Sequence, residues 1–201
     1  MPAVTVQFVF GLGSRYSYLA STQLDGVAAR TGCVFEWVPV SSVELMAARG
    51  QTPFRGKPPS GQYEWEYRRR DAEDWARFYG VPFVEPHPPP EDHALLAVAI
   101  RAAGEQGVLV PFARAMFDAI FVEHRRIDES ACVAIAASMN LDVGGYRASL
   151  SDPALRQRVS EDARRAADHG AFGVPTFLVG GRSFWGNDRL VLLEHWLAHC
   201  K

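Results

Sequence analysis

The chain has 201 residues, 48% of them hydrophobic and 22% charged, with a formal net charge of −2. That is an ordinary globular balance, long enough for one domain or for one domain carrying an insertion. Both charge signs are interspersed and no apolar run approaches the ~18 residues of a membrane span, which excludes an electrostatic nucleic-acid binder and an integral membrane protein.

The first residues, Met1-Pro2-Ala3-Val4-Thr5, lack the basic and apolar regions of a secretory leader. Cys33, Cys132 and Cys200 are far apart and form no Cys-x-x-Cys. They point to a reducing, cytoplasmic setting without a disulfide framework. Each reads as a small core or surface residue. The six histidines show no metal-ligand spacing, so no metal is expected.

In chain order, residues 4–10 alternate and are apolar enough for a buried strand. Gly11-Leu12-Gly13 breaks it, and Ser14 is placed to cap a helix over 16–30, with Tyr18, Leu19, Leu24, Val27 and Ala28 inward. Gly32 ends that helix, and 34–40 form a second strand closed by Ser41-Ser42. A helix crossing between two strands implies a parallel pair. Residues 51–61 hold Pro53, Pro58 and Pro59 and read as a loop. Residues 63–79 read as a helix whose aromatics, at 63, 67, 75, 78 and 79, have mostly the spacing of core positions. Pro86 to Pro90 is a rigid extended segment. Helices follow at about 92–104, 108–121, 128–139 and 152–169, with Asp128 and Asp152 as N-caps and Pro153 at a first helical position. After Gly170 come strands over Thr176–Val179 and Arg182–Trp185, then a helix over 190–197. The pattern predicts an α/β chain. It is a thioredoxin-like fold with a helical domain inserted between its βαβ and ββα halves. Residues 1–42 and 170–201 make the first unit and 43–169 the second.

The most informative stretch is Gly173-Val174-Pro175-Thr176, directly ahead of a strand. A thioredoxin-like fold carries a cis-proline at this place, holding an extended backbone edge beside the active site. A cis X-Pro bond is uncommon and would be a functional device. The plainer reading is a trans proline at a strand start.

The whole chain resembles the 2-hydroxychromene-2-carboxylate isomerase family and its relative, the kappa-class glutathione transferase, both of the thioredoxin-fold group that includes DsbA-type oxidoreductases. Three motifs carry the resemblance. Phe8-Val9-Phe10-Gly11-Leu12-Gly13-Ser14-Arg15-Tyr16-Ser17-Tyr18-Leu19-Ala20 matches Phe-x-Phe-Asp-x-x-Ser-Pro-Tyr-Ser-Tyr-Leu-Ala. Tyr67, Asp71, Trp75-Ala76 and Tyr79-Gly80-Val81-Pro82 match in the middle. Gly170 to Phe177 and Phe184-Trp185-Gly186-Asn187-Asp188-Arg189-Leu190 match near the end.

The resemblance implies glutathione as cofactor and Ser14 as the catalytic residue, standing where relatives of this fold have a redox cysteine and contacting the glutathione thiol. It implies that Val174, ahead of Pro175, pairs its backbone with the cysteinyl unit. Asn187 and Asp188 would hold the γ-glutamyl end, Trp185 would stand as a wall, and Gln51 would contribute from the loop. Capping explains Ser14 and Asp188 as well, and both roles are compatible. The implied reaction is isomerisation of a small aromatic 2-oxo acid of the 2-hydroxychromene-2-carboxylate kind, by a homodimer. The runners-up are a kappa-like transferase or peroxidase, and a member that binds a thiol or a partner without turnover. Disulfide exchange is disfavoured, because Ser14 occupies the place of the attacking cysteine.

The chain also departs from the pattern. Arg15 replaces proline, Gln51 stands where asparagine is usual, Glu64 falls where a lysine is usual, and His93 falls where asparagine begins a helix. These departures sit mostly in the helical half. Arg15, Arg55 and Lys57 can bind a substrate carboxylate or be solvated loop charges. Tyr16, Phe54, Trp65 and Trp75 can stack on an aromatic ring or be core. His87 and His93 are candidate proton-transfer groups, because only histidine titrates near neutrality unperturbed.

Overall fold

The computed structural model describes residues 3–50, 64–87, 90 and 92–199. Strand β1 (Thr5–Phe10) lies inside a four-stranded sheet ordered β2-β1-β3-β4. It pairs in parallel with β2 (Val34–Pro39) and antiparallel with β3 (Thr176–Val179), which pairs in turn with β4 (Arg182–Trp185). Phe8 stands opposite both Trp37 and Phe177.

The two faces of the sheet bury different side chains because strand residues alternate. On one face Phe8 stacks with Phe10 and Phe177, at centroid distances of 5.0 Å and 5.4 Å, and Trp37 meets Phe8 and Phe10 edge-on. Phe10 meets Phe117 at 5.7 Å, joining the sheet to helix α6 (Leu109–Phe121) and to the core of α5 (His93–Glu105). On the other face Val9, Val38 and Leu178 meet Ala163, Ala166 and Ala167 of α9 (Pro153–Asp168).

The crossover between β1 and β2 is not the single helix expected. It is α1 (Arg15–Ser21) followed by α2 (Leu24–Thr31). The Ser21 and Thr22 hydroxyls donate to the Tyr18 and Leu19 carbonyls, each at 2.7 Å, and the Gln23 amide donates to the Ala20 carbonyl, one residue short of the helical register. Hydroxyls competing for helical carbonyls break the turn there. Gly32 ends α2 in the left-handed region, φ +73°.

Helix α3 (Ser42–Ala48) was not expected, although its signal was present: the Ser41 side chain accepts from the Glu44 amide at 3.4 Å, in a Ser-x-x-Glu pattern. Helix α4 (Trp65–Tyr79) corrects the reading of some of its aromatics. It buries Ala72 and Ala76, while Phe78 is 78% exposed and Trp65 and Tyr67 are also exposed. The small alanines let α4 approach α1 closely; Trp75 and Tyr79 pack against the core, as their spacing suggested, while Trp65, Tyr67 and Phe78 are left at the margin. Helix α7 (Glu129–Ser138) starts at Asp128, which accepts from Ala131 N at 2.9 Å, and α9 starts at Asp152 with Pro153 in its first turn, both as expected. Between them α8 (Val143–Leu150) was hidden by Gly144-Gly145, which are poor helix formers. Among the described residues no strand lies between β2 and β3. The chain closes with a 3₁₀ turn over Asn187–Arg189 and helix α10 (Leu190–His199).

Candidate active site

Ser14 has extended backbone, φ −98° and ψ 115°, and caps α1 by accepting from Ser17 N at 3.2 Å. Its own amide donates to Gly11 O at 3.0 Å, closing the turn that leaves β1. The side chain is half-buried, and among the described residues its hydroxyl hydrogen is donated to no acceptor.

Val174–Pro175 is a cis peptide bond, at the entry to β3. It stands beside the Ser14 turn: a Cβ built on Gly11 would lie 3.3 Å from Val174 Cγ2. Gly11 is therefore glycine because Val174 fills its side-chain space. Among the described residues no hydrogen bond engages the backbone of Val174, which is half-buried. The next groups are tied down. Thr176 Oγ1 donates to Gly173 O at 2.7 Å, and Gly186 N donates to Pro175 O at 2.9 Å.

Trp185 covers Gly173, where a built Cβ would fall 2.7 Å from the indole Nε1, and its ring meets Phe172 at 4.9 Å. It is 45% exposed, so it is a surface ring and not a core one. Asn187 is buried, and its amide faces Tyr79: Nδ2 donates to the Tyr79 hydroxyl at 3.5 Å, which donates to the Asn187 carbonyl at 3.3 Å. That pins the 3₁₀ turn to α4. Asp188 projects from the same turn, with a carboxylate 45% exposed and only a 3.6 Å contact to Arg189. Gln51, Phe54, Arg55 and Lys57 lie outside the described residues.

The opposite wall comes from α4, α5 and the segment between them. Arg15 is not a solvated loop charge. Its side chain is 9% exposed and meets Glu85, equally buried, at 2.9 Å, under the ring of Trp65 at 4.4 Å. Burial is the larger influence on both groups. It holds the Glu85 carboxyl above its usual range and the Arg15 guanidinium below its own, against the attraction of the partner. Tyr16 donates to Asp71 at 2.7 Å, and burial with that bond pushes its phenol up. His93 opens α5 with its ring against Gly13: a Cβ there would lie 2.5 Å from Cε1 and 2.8 Å from Nδ1. Burial lowers the His93 pKa, with Asp92 opposing it. His87, by contrast, is exposed. Sequence reasoning missed Glu85 and the engagement of Tyr79 with Asn187. Neither had a local signal, because each partner lies far away in sequence.

A large cleft of about 760 Å³ lies elsewhere, over Gln7, Val9, Glu36 and Val38 of the sheet. Its arginines are engaged with carboxylates: Arg101 and Arg165 both pair with buried Asp162, and Arg158 with Glu105. The convergence of backbone edge, hydroxyl and imidazole is at Ser14, and that is where the candidate site is placed.

The DSBA-like thioredoxin domain family matches residues 5–198. A 2-hydroxychromene-2-carboxylate isomerase of Sphingobium xenophagum is 30% identical over 197 residues, covering 96% of this chain and 97% of the relative. The chain belongs to the 2-hydroxychromene-2-carboxylate isomerase family of DSBA-like thioredoxin domains. A second isomerase of that name, from Pseudomonas putida, is 27% identical over 193 residues, covering 94% of this chain and 92% of the relative. A solved 2-hydroxychromene-2-carboxylate isomerase superimposes with TM-score 0.84 at 25% identity, covering 98% of this chain and 95% of that one. The cytosolic disulfide reductase DsbM from Pseudomonas aeruginosa, solved with GSH, shares the fold at TM-score 0.65 and 19% identity, covering 98% of this chain and 97% of its own. Membership makes this chain an isomerase of thioredoxin fold. No helix among the described residues is long and apolar enough to cross a membrane.

Proposed function

We propose that this isomerase acts on an aromatic 2-oxo acid of the 2-hydroxychromene-2-carboxylate type and uses glutathione as its cofactor. The observation that carries the reading is the pairing of Ser14, at the start of α1, with the unengaged backbone of Val174 beside it. An extended peptide adds to such an edge by main-chain hydrogen bonds. The residues fit a tripeptide thiol. Gly11 and Gly13 let Val174 and the His93 ring come close to the turn, and Asp188 offers an exposed carboxylate to an ammonium. The fold neighbour solved with glutathione adds support from the fold alone.

When bound, glutathione supplies a thiolate that adds reversibly to a conjugated double bond, allows rotation, and departs. The protein supplies the rest. The Ser14 hydroxyl donates to the sulfur while its oxygen still accepts from Ser17 N. A donor placed on developing charge in a half-buried site is worth more than the same bond in water. The Val174 backbone orients the tripeptide, and Trp185 and Phe172 wall the rim against solvent. Disulfide exchange needs an attacking thiolate. Ser14 cannot provide one, Cys33 and Cys132 are buried, and burial pushes the Cys132 thiol up to about 12.

The test is turnover of 2-hydroxychromene-2-carboxylate with and without glutathione, beside calorimetric titration of glutathione. Glutathione-dependent turnover is expected. Turnover without any thiol would remove the cofactor from the reading. Binding with no turnover, but conjugation of electrophiles, would favour a kappa-like transferase. The resemblance also leads us to place the enzyme in the cytoplasm as a homodimer, which sedimentation would check.

A further inference from the structure

We propose that His93 is the general base of this site, taking the proton from the bound thiol beside Ser14. The inference rests on the glutathione reading above and deepens it.

Two placements bring the imidazole there. His93 is the first residue of α5, whose start is fixed by Asp92, which accepts from Leu95 N at 2.8 Å. Gly13, next to Ser14, has no side chain, and the ring fills that space: the built Cβ would fall 2.5 Å from Cε1, 2.8 Å from Nδ1 and 3.7 Å from Nε2. The ring and the Ser14 hydroxyl are thus attached to, or packed on, adjacent residues of one turn. Any side chain at position 13 would push the ring away.

Burial also biases the ring toward its neutral form. The influences on it are burial, the larger, and the Asp92 carboxylate; no side-chain hydrogen bond fixes either nitrogen among the described residues. Burial favours neutral imidazole, which can accept a proton. Arg15 and Glu85, buried charges of this wall, are committed to each other at 2.9 Å. The Tyr16 phenol is held by Asp71 and pushed up, so it does not compete as a base.

The proton balance closes. The thiol S–H proton moves to an imidazole nitrogen, leaving thiolate and imidazolium with no change in total charge. Each charge stabilises the other in a half-buried site, and Ser14 donates to the sulfur. When the thiolate has left the product, the proton returns to sulfur and His93 is neutral again. Ser14 and His93 then have separate tasks: the hydroxyl stabilises the thiolate, and the imidazole holds the proton.

The test reads the thiol directly. Thiolate absorbance near 240 nm of protein-bound glutathione is titrated against pH for the parent, His93→Asn and Gly13→Ala, each checked by far-ultraviolet circular dichroism and calorimetric binding. In the parent, the thiolate should appear well below the ~8.5 of an ordinary thiol. In His93→Asn the midpoint should rise by at least one unit, a tenfold loss of thiolate at neutral pH, with binding kept. Gly13→Ala should shift it in the same direction. The His93 ring, followed by NMR, should gain a proton on adding glutathione and not on adding S-methylglutathione, which has no thiol. Binding with an unmoved thiolate midpoint in His93→Asn overturns the base and leaves the glutathione reading standing. No binding to the parent overturns both.

Discussion

The sheet side of the site and its helical side are built from different materials. On the sheet side, backbone does the positioning: the Gly11–Ser14 turn, the cis bond at Val174–Pro175 and the unengaged Val174 edge. On the helical side, long-range side-chain pairs do it. Tyr16 reaches Asp71 across 55 positions, Arg15 meets Glu85 under Trp65, and His93 fills the space over Gly13. A backbone-built wall tolerates little variation, since each turn demands particular residue types. A side-chain wall can be rebuilt pair by pair.

Substitution should separate the two walls, and the largest effect belongs to the buried pair. Arg15→Ala leaves the Glu85 carboxylate without its partner, and removing one member of a buried pair costs about 3–5 kcal/mol. Urea denaturation measures it. Arg15→Met combined with Glu85→Leu should recover most of the loss, because an apolar replacement of both members removes the desolvation cost as well. A loss below ~1 kcal/mol for Arg15→Ala would mark the pair as no more than a surface bridge and remove the rigid helical wall from the comparison.

Ser14→Ala comes next and should divide catalysis from stability. Losing a cap costs ~1 kcal/mol of stability, whereas losing a donor to a reacting charge costs about 10²-fold in rate. A thermal melt beside single-turnover kinetics reads both. Unchanged kinetics would leave Ser14 as a cap and nothing more.

Asp188→Ala should have a smaller effect, on cofactor affinity alone. The carboxylate is 45% exposed, so solvent screens it and a contact with an ammonium is worth ~1 kcal/mol, roughly a fivefold weaker glutathione Kd by calorimetry. A loss of a hundredfold or more would mean that Asp188 supports the whole turn. Asn187, through Tyr79, is the residue with the contacts to do that.

The same division governs what could be read in the sequence. The four strands, the cis-proline turn and the Ser14 cap were legible, because each is a local pattern: alternation, Val-Pro-Thr before a strand, serine before a helix. The break at Thr22-Gln23 was not, since nothing in an apolar periodicity shows that two hydroxyls will take carbonyls from the helix. Nor was the exposure of Tyr67 and Phe78 on α4, whose helical spacing suggested core as it did correctly for Trp75 and Tyr79. Burial there follows Ala72 and Ala76, which permit close approach to α1. Arg15 and His93 were visible as departures from a family pattern, but a departure does not name a partner. Glu85 and Gly13 became partners only when the chain folded.

The smallest expected effect is a slope. Burial lowers the folded-state pKa of His93 below the unfolded value of about 6.5. Between those two values the unfolded chain binds more protons than the folded one, so stability rises with pH. The contribution is therefore fully present above about pH 6.5 and is lost as pH falls from there through the folded pKa. Glu85 works in the opposite sense: its raised carboxyl pKa removes stability as pH rises from the usual carboxylate range through its folded value. Parent stability in mildly acidic solution is the sum of these opposed slopes, so the parent curve alone does not isolate His93. The difference between parent and His93→Asn does, because Glu85 is common to both. Denaturant melts from pH 7.5 down to 5 should show the parent losing stability relative to the variant as pH falls below about 6.5. Parallel curves would mean that the imidazole is as solvated as in the unfolded chain, and the helical wall would then not seal the space over Gly13.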